Sequence, residues 1–119
     1  IEFASKQPGT GSAYAKLFNP ASRYAIVGAA AVITMNGNTC SAASVAIGGL
    51  LPSATRASSV EAALVGKEMT DANIQAAAEA VAADLGDDVM ADIHASADYR
   101  RAMAVVYVKR AIETAVSRA

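Results

Sequence analysis

YAIVGAAAVITMNGNTCSAASVAIG, residues 24–48, holds two β-branched runs joined at Asn36-Gly37-Asn38. In the first run, residues 24–35, Ile26, Val27, Val32, Ile33 and Thr34 favour an extended backbone. Asn-Gly supplies the positive-φ residues that a tight hairpin turn requires. Beyond it Thr39–Gly48 alternates, with Ala43, Val45 and Ile47 on one face and Ser44 on the other. The segment reads as an antiparallel hairpin. Gly28 and the three alanines after it let something pack closely on the middle of the first strand, and Gly48-Gly49 and Pro52 end the second.

Working outward, residues 14–18 read as a short strand stopped by Asn19-Pro20, because the residue before proline is pushed out of the helical region. Residues 4–13 (ASKQPGTGSA) are small and flexible, and read as a lead-in or interdomain linker. Residues 53–58 can return as a further strand. After residue 58 the pattern becomes helical. Ser58 and Glu61 have capping-box spacing, followed by a short helix to Val65 and a stop at Gly66. Thr70-Asp71 then starts a helix through Leu85, with an apolar stripe at Ile74, Ala77, Ala78, Val81 and Leu85 and a stop at Gly86. Residues 87–95 form an acidic loop. Ser96 caps a third helix from Ala97 to about Ser117, whose 102–108 stretch is apolar all round and expected to be buried on more than one side. Strands followed by helices give an α+β fold: a small antiparallel β-meander of three or four strands, with about three helices packed on one face.

The whole chain has 119 residues, enough for one domain and too few for two well-buried cores. Thirty residues are alanine and none is tryptophan; alanine-lined helices suit close packing on a sheet. Charged residues are 18%, and mean hydropathy is +0.30, so the chain collapses rather than behaving as a polyelectrolyte. The longest apolar run, residues 24–35, falls short of the ~18 residues that a membrane-spanning helix needs. Residues 1–58 sum to +3 and residues 59–119 to −4, and neither half has the basic density of a nucleic-acid surface. Arg100-Arg101 and Lys109-Arg110 are expected on a solvated helix face. The single cysteine, Cys40, makes no internal disulfide, and with no secretory signal visible a cytoplasmic protein is expected. The start at Ile1-Glu2-Phe3 reads as a fragment or processed piece with an artificial scar. Residues 1–11 are therefore assigned to a remnant or linker, and residues 12–119 to the domain.

Candidate chemistry is sparse. Pro8-Gly9-Thr10-Gly11-Ser12 is glycine-rich but lacks the Gly-Lys-Ser/Thr and the following helix of a phosphate loop. His94 is the sole histidine, Cys40 is distant in sequence, and Asp87, Asp88 and Asp92 lack calcium-loop spacing, so no metal site is expected. Ser96 or Cys40 with His94 has nothing to align it as a nucleophile and base. No catalytic residue is assigned. Tyr99 and Tyr107 read as core or interface aromatics. Tyr14 and Lys16, at i and i+2 of a strand, project together. Either they are a partly covering tyrosine and a solvated lysine, or they meet a planar, electron-rich or anionic ligand.

Several stretches resemble a known family. These are Ser12-Ala13-Tyr14-Ala15-Lys16, then Asn19-Pro20-Ala21-Ser22-Arg23-Tyr24-Ala25-Ile26-Val27-Gly28, the tip Asn36-Gly37-Asn38-Thr39-Cys40, Ala46-Ile47-Gly48-Gly49, and His94-Ala95-Ser96-Ala97-Asp98-Tyr99-Arg100-Arg101. Across about residues 12–118 the chain is similar to the C-terminal domain of the FAD-binding medium subunit of molybdenum hydroxylases. Carbon monoxide dehydrogenase and xanthine dehydrogenase flavoprotein subunits are members. The resemblance implies an α+β domain in an oxidoreductase that passes electrons from molybdenum through two iron–sulfur clusters to FAD. It implies that FAD is held mainly by two preceding domains, with this domain covering the isoalloxazine end through Tyr14 and Lys16. Its implied partners are those FAD-binding domains and the iron–sulfur and molybdenum subunits. A fragment without a glycine-rich pyrophosphate segment is expected neither to bind FAD tightly nor to turn over substrate. The alternative is a subunit-interaction module that makes no direct flavin contact.

Overall fold

The computed structural model describes residues 9–18, 25–51, 53–86, 89 and 96–119. The Asn19-Pro20 strand stop, most of the acidic loop with His94, and residues 1–8 lie outside the described residues. Four strands follow in order: β1 (Thr10–Phe18), β2 (Ala25–Asn36), β3 (Thr39–Gly48) and β4 (Thr55–Arg56). They form one antiparallel sheet in sequential order, β1-β2-β3-β4. The expected hairpin is present, with Asn36 paired to Thr39 across a two-residue turn and Gly37 at φ 64°. A register shift between Thr34 and Met35 bends its tip.

β1 begins at Thr10, four residues earlier than expected. Its glycine and serine lower strand propensity, but tertiary packing overrides that. Thr10 to Ala13 pair with Thr34 to Ala31, so this stretch is sheet rather than linker. Gly11 lies under the C-terminal turn of the last helix: a Cβ there would run into the carbonyl of Ala115 and sit 2.7 Å from the amide of Ala119.

The helices are α1 (Ser58–Leu64), α2 (Asp71–Glu79), α3 (Val81–Leu85) and α4 (Ala97–Arg118). The single helix expected over residues 71–85 is broken at Ala80, whose amide turns back to Ala77 and Ala78. α2 and α3 are thus two pieces of one bent arm. The bend lets Val81 and Leu85 stay buried while Asp84 reaches the start of α1. That reach also replaces the expected capping box: the Ser59 amide donates to Asp84 Oδ1 at 3.1 Å, and α1 has no cap from its own side chains. Thr70 and Ser96 cap α2 and α4 as expected, accepting from the amides of Asn73 and Tyr99.

The helices cover one face of the sheet. α4 lies along β1 and β2, and α1 along β3. The core combines Val27, Ala29, Ala31 and Ile33 of β2 with Val45 and Ile47 of β3 and the buried α4 stripe Ala104, Val108, Ala111, Ile112 and Ala115. Small side chains on both partners permit this close approach. In the 102–108 stretch Ala104 and Val108 are fully buried, Met103, Val105, Val106 and Tyr107 half-buried and Ala102 exposed: α4 packs on the sheet and also against α2 and α3, so the stretch is covered from more than one side but not all round. Arg100, expected in solvent, is 4% exposed. It sits in the first turn of α4 facing the sheet, where its Nη1 donates to the Gly49 carbonyl at 3.4 Å. Among the described residues no helix is long and apolar enough to cross a membrane.

Candidate functional site

Alternation assigns the two faces of each strand. On β1, Gly11, Ala13, Ala15 and Leu17 turn toward the helices, and Ser12, Tyr14, Lys16 and Phe18 turn away and are exposed. Register carries the outward face across the sheet in rows. Ser12 faces Val32 and then Ser44. Tyr14 faces Ala30, then Ala46, then Arg56. Lys16 faces Gly28, then Gly48. Tyr14 and Lys16 therefore lie side by side on one face, as their spacing predicts.

The floor between them is almost without side chains. Tyr14 is 61% exposed, yet its ring lies down across the sheet rather than standing over its partner Ala30. The atoms nearest the outward side of Gly28 all belong to that ring, with Cζ at 3.1 Å and Cε2 at 3.3 Å from where a Cβ would be. Gly28 is buried even though it faces outward. The expectation that something packs closely on Gly28 and its alanines holds on both faces: Tyr14 outside, and α4 inside against Ala29 and Ala31.

Farther along, Ala30, Val32, Ser44 and Ala46 line a shallow groove of about 300 Å³ that ends at Arg56 and Glu61. Arg56 Nε donates to both Glu61 oxygens at 2.9 and 2.8 Å, and this carboxylate raises the guanidinium's pKa further above its ordinary value. Glu61 Oε2 also accepts the Val45 amide at 2.8 Å, so the carboxylate occupies the place of a strand neighbour beside short β4. This role explains why Glu61 is not spent on capping α1. Its spacing from Ser58 concealed it, and Arg56 had no sequence signal.

The remaining candidates do not converge. Cys40 is buried, and its thiol donates to the Ala42 carbonyl at 3.3 Å; burial pushes its pKa up. The Ser96 hydroxyl is engaged in its cap. Tyr107 carries the Arg110 guanidinium 4.7 Å above its ring, and Tyr99 is exposed at the start of α4.

The family pattern of the CO dehydrogenase flavoprotein C-terminal domain matches residues 12–115. The chain belongs to that family. It is 38% identical over 110 residues to the carbon monoxide dehydrogenase medium chain of Hydrogenophaga pseudoflava, covering 92% of this chain and 38% of the relative. The solved structure of carbon monoxide dehydrogenase from that organism superposes with a TM-score of 0.88 at 39% identity, over 96% of this chain and 39% of that one. Quinoline 2-oxidoreductase from Pseudomonas putida 86 superposes with a TM-score of 0.83 at 31% identity, over 92% and 38%. The chain thus spans about two fifths of the length of these relatives. It corresponds to the C-terminal domain of a flavin-binding subunit.

A flavoprotein family implies FAD, and the open face fits part of it. An exposed aromatic ring laid on a flat floor beside a lysine can meet one face or edge of a planar ring. The same face is too shallow to enclose a dinucleotide, and Thr10 to Ser12 run in a strand instead of presenting helix amides to a pyrophosphate.

Proposed function

We propose that this domain covers the isoalloxazine end of an FAD held mainly by other domains of a molybdenum hydroxylase flavoprotein subunit. The observation that carries the reading is the shared open face of Tyr14 and Lys16, with the Tyr14 ring seated over Gly28. Bound FAD would accept electrons arriving from molybdenum through iron–sulfur clusters and hand them on. The chain's own residues would set the flavin's surroundings. The Tyr14 ring offers an apolar plate that limits water and acceptor access, and the Lys16 ammonium places a positive charge where electron density on the flavin rises. The proposed neighbours are the FAD-binding domains of the same subunit and the iron–sulfur and molybdenum subunits.

In the full-length flavin subunit, Tyr14→Ala should alter the flavin's visible spectrum and its reoxidation rate. Lys16→Gln should lower its midpoint potential, since a nearby cation stabilises the reduced, more negative form. The isolated domain should not bind FAD at micromolar concentration; binding with a perturbed flavin spectrum would contradict the division of labour. A second reading, a subunit-interaction face without flavin contact, draws on exposed Phe18 and Val32 beside Tyr14. It is favoured if Tyr14→Ala leaves the flavin unchanged and weakens subunit association.

A further inference from the structure

Gly28 has no backbone reason to be glycine. It lies inside β2, and its φ is not among the positive ones. Glycine inside a strand weakens it and marks a place where something approaches closely. α4 is not that neighbour, because the missing side chain would point to the opposite face. Gly48, its β3 partner on the same outward face, is different: a Cβ there would meet only Ala54, at 3.9 Å. At Gly28 the three nearest atoms are all from the Tyr14 ring, and the phenol oxygen is in outright collision. Tyr14 therefore reaches diagonally from its own partner Ala30 onto the residue that faces Lys16.

We infer that Gly28 is a positioning residue for the proposed flavin-covering surface: its bare Cα lets the Tyr14 ring reach over it and lean into the Lys16 row. The inference rests on the reading that Tyr14 meets the flavin. An added methyl at residue 28 strikes the far end of a side chain free to rotate, so the ring lifts and the sheet stays intact. The ring then stands nearer to Ala30 and withdraws from the Lys16 row. Covering a glycine with an aromatic ring also steadies a sheet, so stability alone does not separate the two roles. The flavin does.

The test uses the full-length subunit loaded with FAD, read by its visible absorption and flavin fluorescence. Gly28→Ala should shift both signals in the direction of Tyr14→Ala, and the double variant should go no further than Tyr14→Ala alone. Ala102→Ser, on the exposed side of α4 and on the opposite side of the sheet from Tyr14, should leave them unchanged. Tyr14→Phe removes the colliding oxygen and should return Gly28→Ala part of the way toward the Tyr14→Phe signals. If Gly28→Ala loads FAD poorly, recovery of loading by Tyr14→Phe supports the positioning role, and no recovery overturns it. Gly28→Ala signals identical to wild type, beside an altered Tyr14→Ala, overturn the inference and leave the flavin reading standing. An unaltered Tyr14→Ala removes the flavin reading itself, and the inference with it.

Discussion

Gly11→Ala measures how tightly α4 is seated on the sheet. The new Cβ would strike the Ala115 carbonyl and lie 2.7 Å from the Ala119 amide and 2.9 Å from the Arg118 carbonyl carbon. These neighbours are backbone and cannot swing aside, so β1 and the end of α4 must separate. Overpacking of this kind costs about 1–3 kcal/mol. Alanine also restricts the unfolded chain, which offsets about 0.4–1 kcal/mol. The net loss is about 1–2 kcal/mol, or roughly 4–8 °C in Tm for a domain of this size. The Arg118 guanidinium, which donates to the Ser12 carbonyl at 3.0 Å across the same contact, should loosen with it. Amide exchange should therefore quicken over residues 115–119 more than elsewhere. Gly48→Ala is the control, since a methyl there has room, and its Tm should hold or rise slightly. A Gly11→Ala chain that melts at or above wild type would refute the seating of α4. An equal loss in Gly48→Ala would trace the effect to the strand backbone instead.

Three further outcomes follow from the same structure. Glu61→Ala leaves the Val45 amide without its acceptor and should cost about 1–3 kcal/mol in urea unfolding, whereas Glu61→Gln keeps an acceptor oxygen and should cost less. Ile33→Ala empties a fully buried site on the helix side of β2; a loss of about 2–5 kcal/mol with an unchanged denaturant slope is expected. Cys40 is an acid whose folded pKa lies above its usual 9.0, so its contribution is complete below that value and declines as pH rises beyond it. Cys40→Ala should flatten the alkaline limb of a stability–pH profile, and an unchanged limb would assign it to other groups.

Most of the architecture was legible because local signals and packing agree. The Asn36-Gly37-Asn38 tip, the alternation through Val45 and Ile47, and the Thr70 and Ser96 caps all mark their elements directly in sequence. Legibility failed where a residue serves a partner remote in the chain. Gly11 looks like linker until α4, a hundred residues later, is seen to rest on it. Glu61 looks like half of a capping box until the Val45 amide claims its carboxylate. Arg100 looks solvated until α4 turns it toward Gly49. The bend at Ala80 has no proline or glycine to announce it and follows from where Val81 and Asp84 must point. At the candidate site, the i, i+2 spacing placed Tyr14 and Lys16 together, and the run from Gly28 to Ala31 hinted at close approach. The diagonal lean of the ring has no local signal, because it depends on an empty Cα on the neighbouring strand.

Consecutive residues of β2 answer to opposite neighbours: Ala29, Ala31 and Ile33 to helices, and Gly28, Ala30 and Val32 to the open side. For protein engineering, this makes one strand two interleaved alphabets. A library confined to Ala30 and Val32 can resculpt the exterior while the interior letters, and hence folding, are left alone. One confined to the odd positions would vary thermal tolerance without redrawing what an incoming molecule meets.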